Sequence, residues 1–357
     1  MFPAAGGTLL RHPIGKWCRS TRGHRWHLQE TTMTKRQFIS LAIACASALA
    51  IGSVQAQTYP DKPVRIILPF PTGTGPDTVM RMIGERLTKL WGQQVLIDNR
   101  PGANGWIAME AAKRATPDGY TLLQTDAPPL TVAQHLWKKL PYDPVKDFEP
   151  LGGLYRTYYF VTVAADSKWN SVGDLIAAAK ANPDKLTYGS SGNGGNLHLG
   201  GAMMVKATGT KMTHVPYKET TQIYVSINTG DISWAVGTAS TTRPMLQANK
   251  VKYLAITSQK RSPLFPNIPT VAEAGGPANY ELQTWVALYA PTGVPKAIVG
   301  KINADLGRVL QDPEIKSYLN GVGFEPLIVN PGEMNEIVRK DTAMFRDVVK
   351  DLNLQLD

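Results

Sequence analysis

The chain has 357 residues, with 38 lysines and arginines against 28 acids and a formal charge of +10. Seven bases (Arg11, Lys16, Arg19, Arg22, Arg25, Lys35, Arg36) and one acid (Glu30) fall in residues 1–56, leaving 31 against 27, or +4, for the rest. That balance does not call for a nucleic-acid partner, and the length asks for two domains rather than one small core.

The N-terminus reads as an export signal. Thr34-Lys35-Arg36 is a basic start, Phe38 to Val54 is mostly apolar and small, and Val54-Gln55-Ala56 offers small residues for cleavage after Ala56. Met33 sits where such a signal begins, so residues 1–32 read as an upstream extension. Cys18 and Cys45 both lie in this leader. The mature chain therefore has no cysteine and needs no disulfide in an oxidising compartment. Ala42-Ile43-Ala44-Cys45 leaves lipidation as the lesser alternative, because the usual leucine three places before the cysteine is missing. No other apolar run is long enough to span a bilayer.

Beyond Gln57, strands and helices alternate. Val64–Leu68 reads as strand and Thr78–Leu90 as helix, with Val79, Ile83, Leu87 and Leu90 on one face. Val95–Ile97 and Tyr120–Gln124 read as strands around a helix at Trp106–Arg114. Helices follow at Asp174–Ala181, Leu197–Thr208 and Gln222–Thr229, with strands at Leu186–Tyr188, His214–Pro216, Ile232–Val236 and Tyr253–Thr257. A helix opens at Pro295 with a stripe of Ile298, Ile302, Leu306 and Leu310. A short strand near Phe324–Ile328 precedes a last helix from Pro331 to about Leu352. The alternation predicts an α/β fold with parallel sheets and crossover helices. Two extended runs, Tyr158–Ala164 and Thr284–Ala290, are candidates for strands crossing between two domains. On that reading residues 57–160 and 287–357 form a discontinuous first lobe, and 161–286 the second.

Small-residue loops stand between strand and helix at several places. Pro69-Phe70-Pro71-Thr72-Gly73-Thr74-Gly75-Pro76-Asp77 follows the first strand. Its glycines permit a tight turn, Asp77 is placed to cap the helix, and its backbone N–H groups can approach an anion. It holds no strong nucleophile or metal cluster, which fits a loop that grips a carboxylate without transforming it. Gly189-Ser190-Ser191-Gly192-Asn193-Gly194-Gly195-Asn196 offers a second uncharged set of donors. Arg100 opens a third turn, Arg100 to Gly105, and reads first as a structural ion pair. Thr125 and Asp126 end a strand, and Thr238 and Ser240 follow another. The carboxyl ends of strands line the ligand crevice of doubly wound sheets.

An enzymatic reading has little to stand on. Gly189-Ser190-Ser191-Gly192-Asn193 lacks the final glycine of a nucleophile elbow. The mature chain has three histidines, His135, His198 and His214, and none forms a zinc motif. No dinucleotide or phosphate-loop fingerprint is present, so no cofactor or metal is expected. An exported hydrolase using Ser190 or Ser191 with His198 stays open as an alternative. Trp106, Tyr155, Tyr158, Tyr159, Tyr217, Trp234 and Trp285 are core residues or ligand walls.

Together these residues resemble the periplasmic substrate-binding proteins of tripartite tricarboxylate transporters, the Bug family. The resemblance covers the chain from about Tyr59 to its end. It rests on Tyr59-Pro60-Asp61-Lys62-Pro63, the loop ending at Asp77, Asn99-Arg100-Pro101-Gly102-Ala103, Pro117-Asp118-Gly119-Tyr120-Thr121-Leu122, Leu140-Pro141-Tyr142-Asp143-Pro144, Val215-Pro216-Tyr217-Lys218, Ile268-Pro269-Thr270-Val271-Ala272-Glu273-Ala274-Gly275 and Ala290-Pro291. It implies a bilobed periplasmic-binding-protein-like fold, two α/β domains joined by two crossing strands. It also implies a monomeric, non-enzymatic periplasmic receptor that delivers an organic carboxylate to a membrane permease. The grip implied is by Phe70, Thr72, Gly73, Thr74 and Asp77 from one lobe and Ser190, Ser191, Asn193, Gly194, Asn196 and His198 from the other. Thr125, with Asp126 beside it, and the turn carrying Thr238 and Ser240 complete the lining.

The chain departs from the family where Pro76 removes an N–H, where Glu219 replaces a usual glycine, and where Thr238-Ala239-Ser240 replaces bulkier residues. The small last turn leaves room for a larger, even aromatic, mono- or dicarboxylate. A sensor subunit serving a signalling partner is a further alternative.

Overall fold

The structure, a computed structural model, describes residues 59–356. The export signal, the cleavage site after Ala56, Cys18 and Cys45 lie outside the described residues.

β1 (Val64–Leu68) pairs in parallel with β2 (Val95–Asn99) on one side and β3 (Thr121–Asp126) on the other. Helix α1 (Gly75–Trp91) buries Val79, Met80, Ile83 and Leu87 against this sheet and stops at Gly92, whose φ of 66° suits glycine. Leu90, expected on the same stripe, is 42% exposed. A further turn puts it beyond the edge of the buried face.

α2 (Trp106–Lys113) leads to β3, and the short helices α3 (Ala127–Thr131) and α4 (Ala133–Leu136) follow it. β4 (Phe148–Ala164) is a strand of 17 residues, far longer than the expected run. Its first part, Phe148–Tyr158, pairs antiparallel with β9 (Gln283–Pro291). From Tyr159 onward it pairs antiparallel with β7 (Trp234–Thr238) and β8 (Val251–Ile256). β7 lies parallel to β5 (Thr187–Ser190), which lies parallel to β6 (Thr213–Pro216). The strand order is β2-β1-β3-β9-β4-β7-β5-β6, with β8 and the two-residue β10 (Glu325–Pro326) each on β4. The sheets are therefore parallel at both ends and antiparallel where the chain crosses, which corrects the all-parallel expectation.

The connecting helices are α5 (Val172–Ala181), α6 (Asn196–Thr208), α7 (Thr220–Thr229) and α8 (Ala239–Gln247) among β4 to β8. After β9 come α9 (Lys296–Val309), α10 (Pro313–Gly321) and α11 (Pro331–Asp351). α3, α4, α8 and α10 were not expected. α10 opens with Pro313 and α3 has Pro128 directly after its first residue, which the first helical turn tolerates, and α8 carries Pro244 within it.

The apolar interior divides with the sheet. Ile66, Ile83, Leu154 and Leu306 belong to one cluster, and Met109, Leu123, Trp285 and Met334 to another behind the same strands. Val161, Leu175, Met204 and Trp234 belong to a third. Phe345 and Val349 from the end of α11, with Val132 and Leu136, pack into that third cluster. The Leu356 N–H donates to the Leu136 carbonyl at 2.7 Å.

Gly153 in β4 is required by close approach: a Cβ there would stand 2.4 Å from the Leu327 carbonyl oxygen. Gly300, in the middle of α9, has nothing within 4 Å of such an atom. Gly153→Ala is expected to destabilise by about 1–3 kcal/mol, since a backbone atom must yield. Gly300→Ala is expected to stabilise by roughly 0.5–1 kcal/mol. Chemical denaturation of the two variants checks both signs.

Candidate functional site

The loop after β1 is largely self-satisfied. Thr74 is the N-cap of α1, Gly75 and Pro76 open the helix, and Asp77 is its third residue. Asp77 is therefore not the cap. Its carboxylate reaches back to accept the Gly73 N–H at 2.8 Å, and it also accepts from Asn99 Nδ2 at 2.8 Å. Arg81 pairs with both oxygens, at 3.1 and 2.9 Å. Burial would raise this carboxyl, but the bonds from Arg81, Gly73 and Asn99 outweigh it and hold the group below its ordinary range. The Thr74 N–H and hydroxyl both turn to the Pro71 carbonyl. Phe70 packs against the α1 core, and its carbonyl accepts from Asn99. Thr72 and Gly73 are exposed at the tip. Arg100 pairs with Asp98, as expected of a structural ion pair.

The loop after β5 is different. The Ser190 side chain is fully buried, and its Oγ lies 2.8 Å from the Gly192 carbonyl and 2.6 Å from His214 Nε2. One hydroxyl proton cannot serve both; with Oγ–H on the carbonyl, His214 donates from Nε2. His198 Nδ1 accepts the Gly194 N–H at 3.0 Å, which places its proton on Nε2. The two imidazoles stack at 3.9 Å. Burial, then the neighbouring His198, push His214 down to about 4, and burial lowers His198 as well. The serine–histidine pair is thus Ser190 with His214 and not with His198, the serine is fully buried with its hydroxyl bonded within the loop, and both imidazoles hold the loop. That removes the geometry the hydrolase alternative needs.

Ser191 and Asn193 are exposed, and the N–H groups of Ser191, Asn193 and Asn196 have no partner among the described residues. Asn196 is the first residue of the 13-residue α6, so its N–H stands at a helix N-terminus, where peptide dipoles favour negative charge, and Ser191 and Asn193 lie in the loop that leads to it. Ser191, Asn193 and Gly194 line a cavity of about 150 Å³ with Asn104, Trp106 and Leu136. Trp106 meets Trp137 edge-on at 5.1 Å. The structure thus brings the second loop to the third turn and to α3–α4; the loop after β1 is not in this lining.

A second convergence lies on β4. Tyr159 is paired with Thr238 across the β4–β7 ladder, and its Oη accepts from Asn196 Nδ2 at 3.0 Å. The Thr238 hydroxyl caps α8 and meets Ser240 Oγ at 3.0 Å. Thr125 is fully buried. Asp126 caps α3, yet its side chain makes no cap bond. The donors it would need belong to Pro128 and Pro129, which have none. Its carboxylate has no partner from another residue among the described residues. Loss of hydration pushes it up to about 6, against only its own backbone N–H. Burial raises the phenols of Tyr142, Tyr155 and Tyr159, and the Asp126 charge adds to each. Sequence reasoning missed the role of His214 and the part of Thr284, which adjoins Tyr159. The one available signal for His214 was its place on a strand neighbouring Ser190. Among the described residues there is no cluster able to hold a metal ion.

A family described as the tripartite tricarboxylate transporter family receptor matches residues 79–354. The chain belongs to that family. A protein of R. palustris solved with adipate is 31% identical at a TM-score of 0.73, over 84% of this chain and 100% of that one. The periplasmic binding protein BugD is 30% identical at a TM-score of 0.69, over 84% of this chain and all of BugD. MatC from Rhodopseudomonas palustris with bound malate is 27% identical at 0.67, over 82% of this chain and all of MatC. The chain is accordingly a bilobed α/β receptor and not an enzyme.

The Asp126 carboxyl is held above its ordinary value, so the folded state binds its proton more tightly than the unfolded chain does. The stability this gives is complete below about 4 and is lost as pH rises through about 6. Asp126→Asn removes the loss: thermal melting at pH 7.5 is expected to show the variant more stable by up to about 3 kcal/mol, with the gap closing by pH 4.

Proposed function

We propose that this chain is a periplasmic receptor that closes two lobes on a small organic carboxylate and delivers it to a tripartite tricarboxylate-type membrane permease. The observation that carries the reading is the loop after β5. Ser191 and Asn193, whose N–H groups make no hydrogen bond among the described residues, line a cavity shared with Trp106 and α3–α4 just before α6. Uncharged dipoles converging on one point bind an anion without reacting with it. Membership of the receptor family supports the transport role, and the related structures that hold adipate and malate support the ligand class.

The first lobe is taken as residues 57–160 and 287–357 and the second as 161–286, moving about β4 and the entry to β9. Ser191, Asn193, Gly194 and Asn196 are the principal carboxylate grip. Thr72 and Gly73 close from the other side, and Thr238, Ser240 and Asp126 stand beside the ligand. Gly73 to Asp77 chiefly shape their own loop. The receptor acts as a monomer after cleavage at Ala56.

Ligand that binds only the folded state stabilises it by about 2.7 kcal/mol at a hundredfold excess over its Kd. Thermal shift assays with adipate, malate and a wider set of aliphatic and aromatic acids are expected to show a concentration-dependent rise in Tm for at least one of them. A flat response across the whole set defeats the reading.

A further inference from the structure

We propose that a cavity behind α3–α4 is a second ligand site, for a hydroxylated amphiphilic organic acid, and that its occupant acts on the carboxylate site in front. The rear site stands by itself; only its action on the front site rests on the reading of the chain as a carboxylate receptor.

The cavity measures about 560 Å³, within the roughly 300–1,000 Å³ of sites that enclose small organic molecules. One wall is α11, whose Val338, Arg339, Thr342, Ala343 and Arg346 recur at the spacing of a single helix face. Leu130 of α3, His135 of α4, Phe148 of β4 and Tyr289 of β9 also line it. So does Val145, which is 73% exposed, and part of the apolar lining therefore meets solvent. α3 and α4 form a partition. Leu130 and His135 line the rear cavity, while Pro128, Pro129, Val132, Ala133 and Leu136 line the cavity of Ser191 and Asn193. A molecule held behind packs on the same two helices that wall the front site, and any coupling between the two is reciprocal.

The lining sets the chemistry of the occupant. Leu130, Val145, Phe148 and Val338 suit an apolar body. The lining residues that carry full charge are both arginines. Arg339 pairs with Glu336 at 2.6 Å and Arg346 with Asp347 at 2.9 Å, and all four side chains are exposed. Exposed pairs contribute little, so either guanidinium can exchange its partner for a ligand carboxylate held bidentately. Two buried atoms of the lining residues, Tyr289 Oη and His135 Nε2, have no hydrogen-bond partner. Burial keeps the phenol protonated and holds the His135 ring below its ordinary range, against a bond to the Thr342 backbone. A phenol donates and accepts, and a neutral ring nitrogen does one or the other, so a ligand hydroxyl can answer either.

Isothermal titration with 4-phenylbutyrate, 4-phenylbutyramide and 4-(4-hydroxyphenyl)butyrate tests the rear site. The wild-type protein is expected to bind the plain acid fivefold or more tightly than the amide, and the hydroxylated acid threefold or more tightly than the plain one. Ala343→Trp, which fills the cavity, is expected to weaken both acids tenfold or more. Arg339→Gln with Arg346→Gln, at exposed positions, is expected to erase the preference for acid over amide, and Tyr289→Phe the preference for the hydroxyl. An acid whose thermal shift survives in Ala343→Trp reports the front site. Its Kd is expected to change at least threefold when the rear site is saturated with the hydroxylated acid in wild type, and to stay constant in Ala343→Trp. Binding of neither aromatic acid, or binding unchanged by Ala343→Trp, overturns the rear site. A front-site Kd unmoved by the rear occupant overturns its action on the front site. If no acid keeps its thermal shift in Ala343→Trp, the receptor reading and that action fail together, while the titrations still decide the rear site. A melting curve for each variant confirms that it is folded.

Discussion

The architecture depends on one strand changing partners. Up to Tyr158, β4 belongs with β9 and the sheet of β1 and β3; from Tyr159 it belongs with β7 and β8. A single backbone thus carries hydrogen-bond ladders on both sides of the crossing. Gly152 and Gly153, with register shifts on either side, let the strand bend close to Leu327 and Asn303. Because the sheets that carry β1 and β3 and those that carry β5 and β7 meet on this strand, the loops that follow them start from positions the sheet sets and are then fixed by their own contacts.

The two glycine-rich loops look alike as sequence and differ as chemistry. In the loop after β1, Asp77 draws in Gly73, Asn99 and Arg81, so the local charge and the local donors neutralise one another. In the loop after β5, the organiser is a neutral pair of stacked imidazoles that takes one N–H and leaves others unpaired. A charged organiser stiffens a loop at the cost of its electrostatic reach. A neutral one stiffens it and leaves the helix dipole available.

Much of this was legible in the sequence. The β1–α1 and β5–α6 loops, the C-terminal helices and the existence of two extended runs all follow from apolar spacing and from glycine and proline placement. The first half of β4 was not legible, because Pro150, Gly152 and Gly153 read as a loop until a neighbouring strand supplies the ladder. α8 was hidden by its threonines and Pro244, which oppose a helix locally and are overruled by a capping box at Thr238. The Ser190–His214 bond joins residues 24 apart through the parallel pairing of β5 with β6, so no local pattern announces it. The state of Asp126 was equally invisible, since it follows from which neighbours are absent.

The last helix has a mechanical consequence. α11 is 21 residues long, with Met334 in the core behind β3 and β9 and with Phe345 and Val349 in the core around β5 and β7. The tail beyond it is zipped to Leu136. It is a strut bolted at both ends. Any swinging apart of the halves must bow this rod or unplug its far anchor, and that anchor, Leu356 on Leu136, walls the same cavity as Ser191 and Asn193.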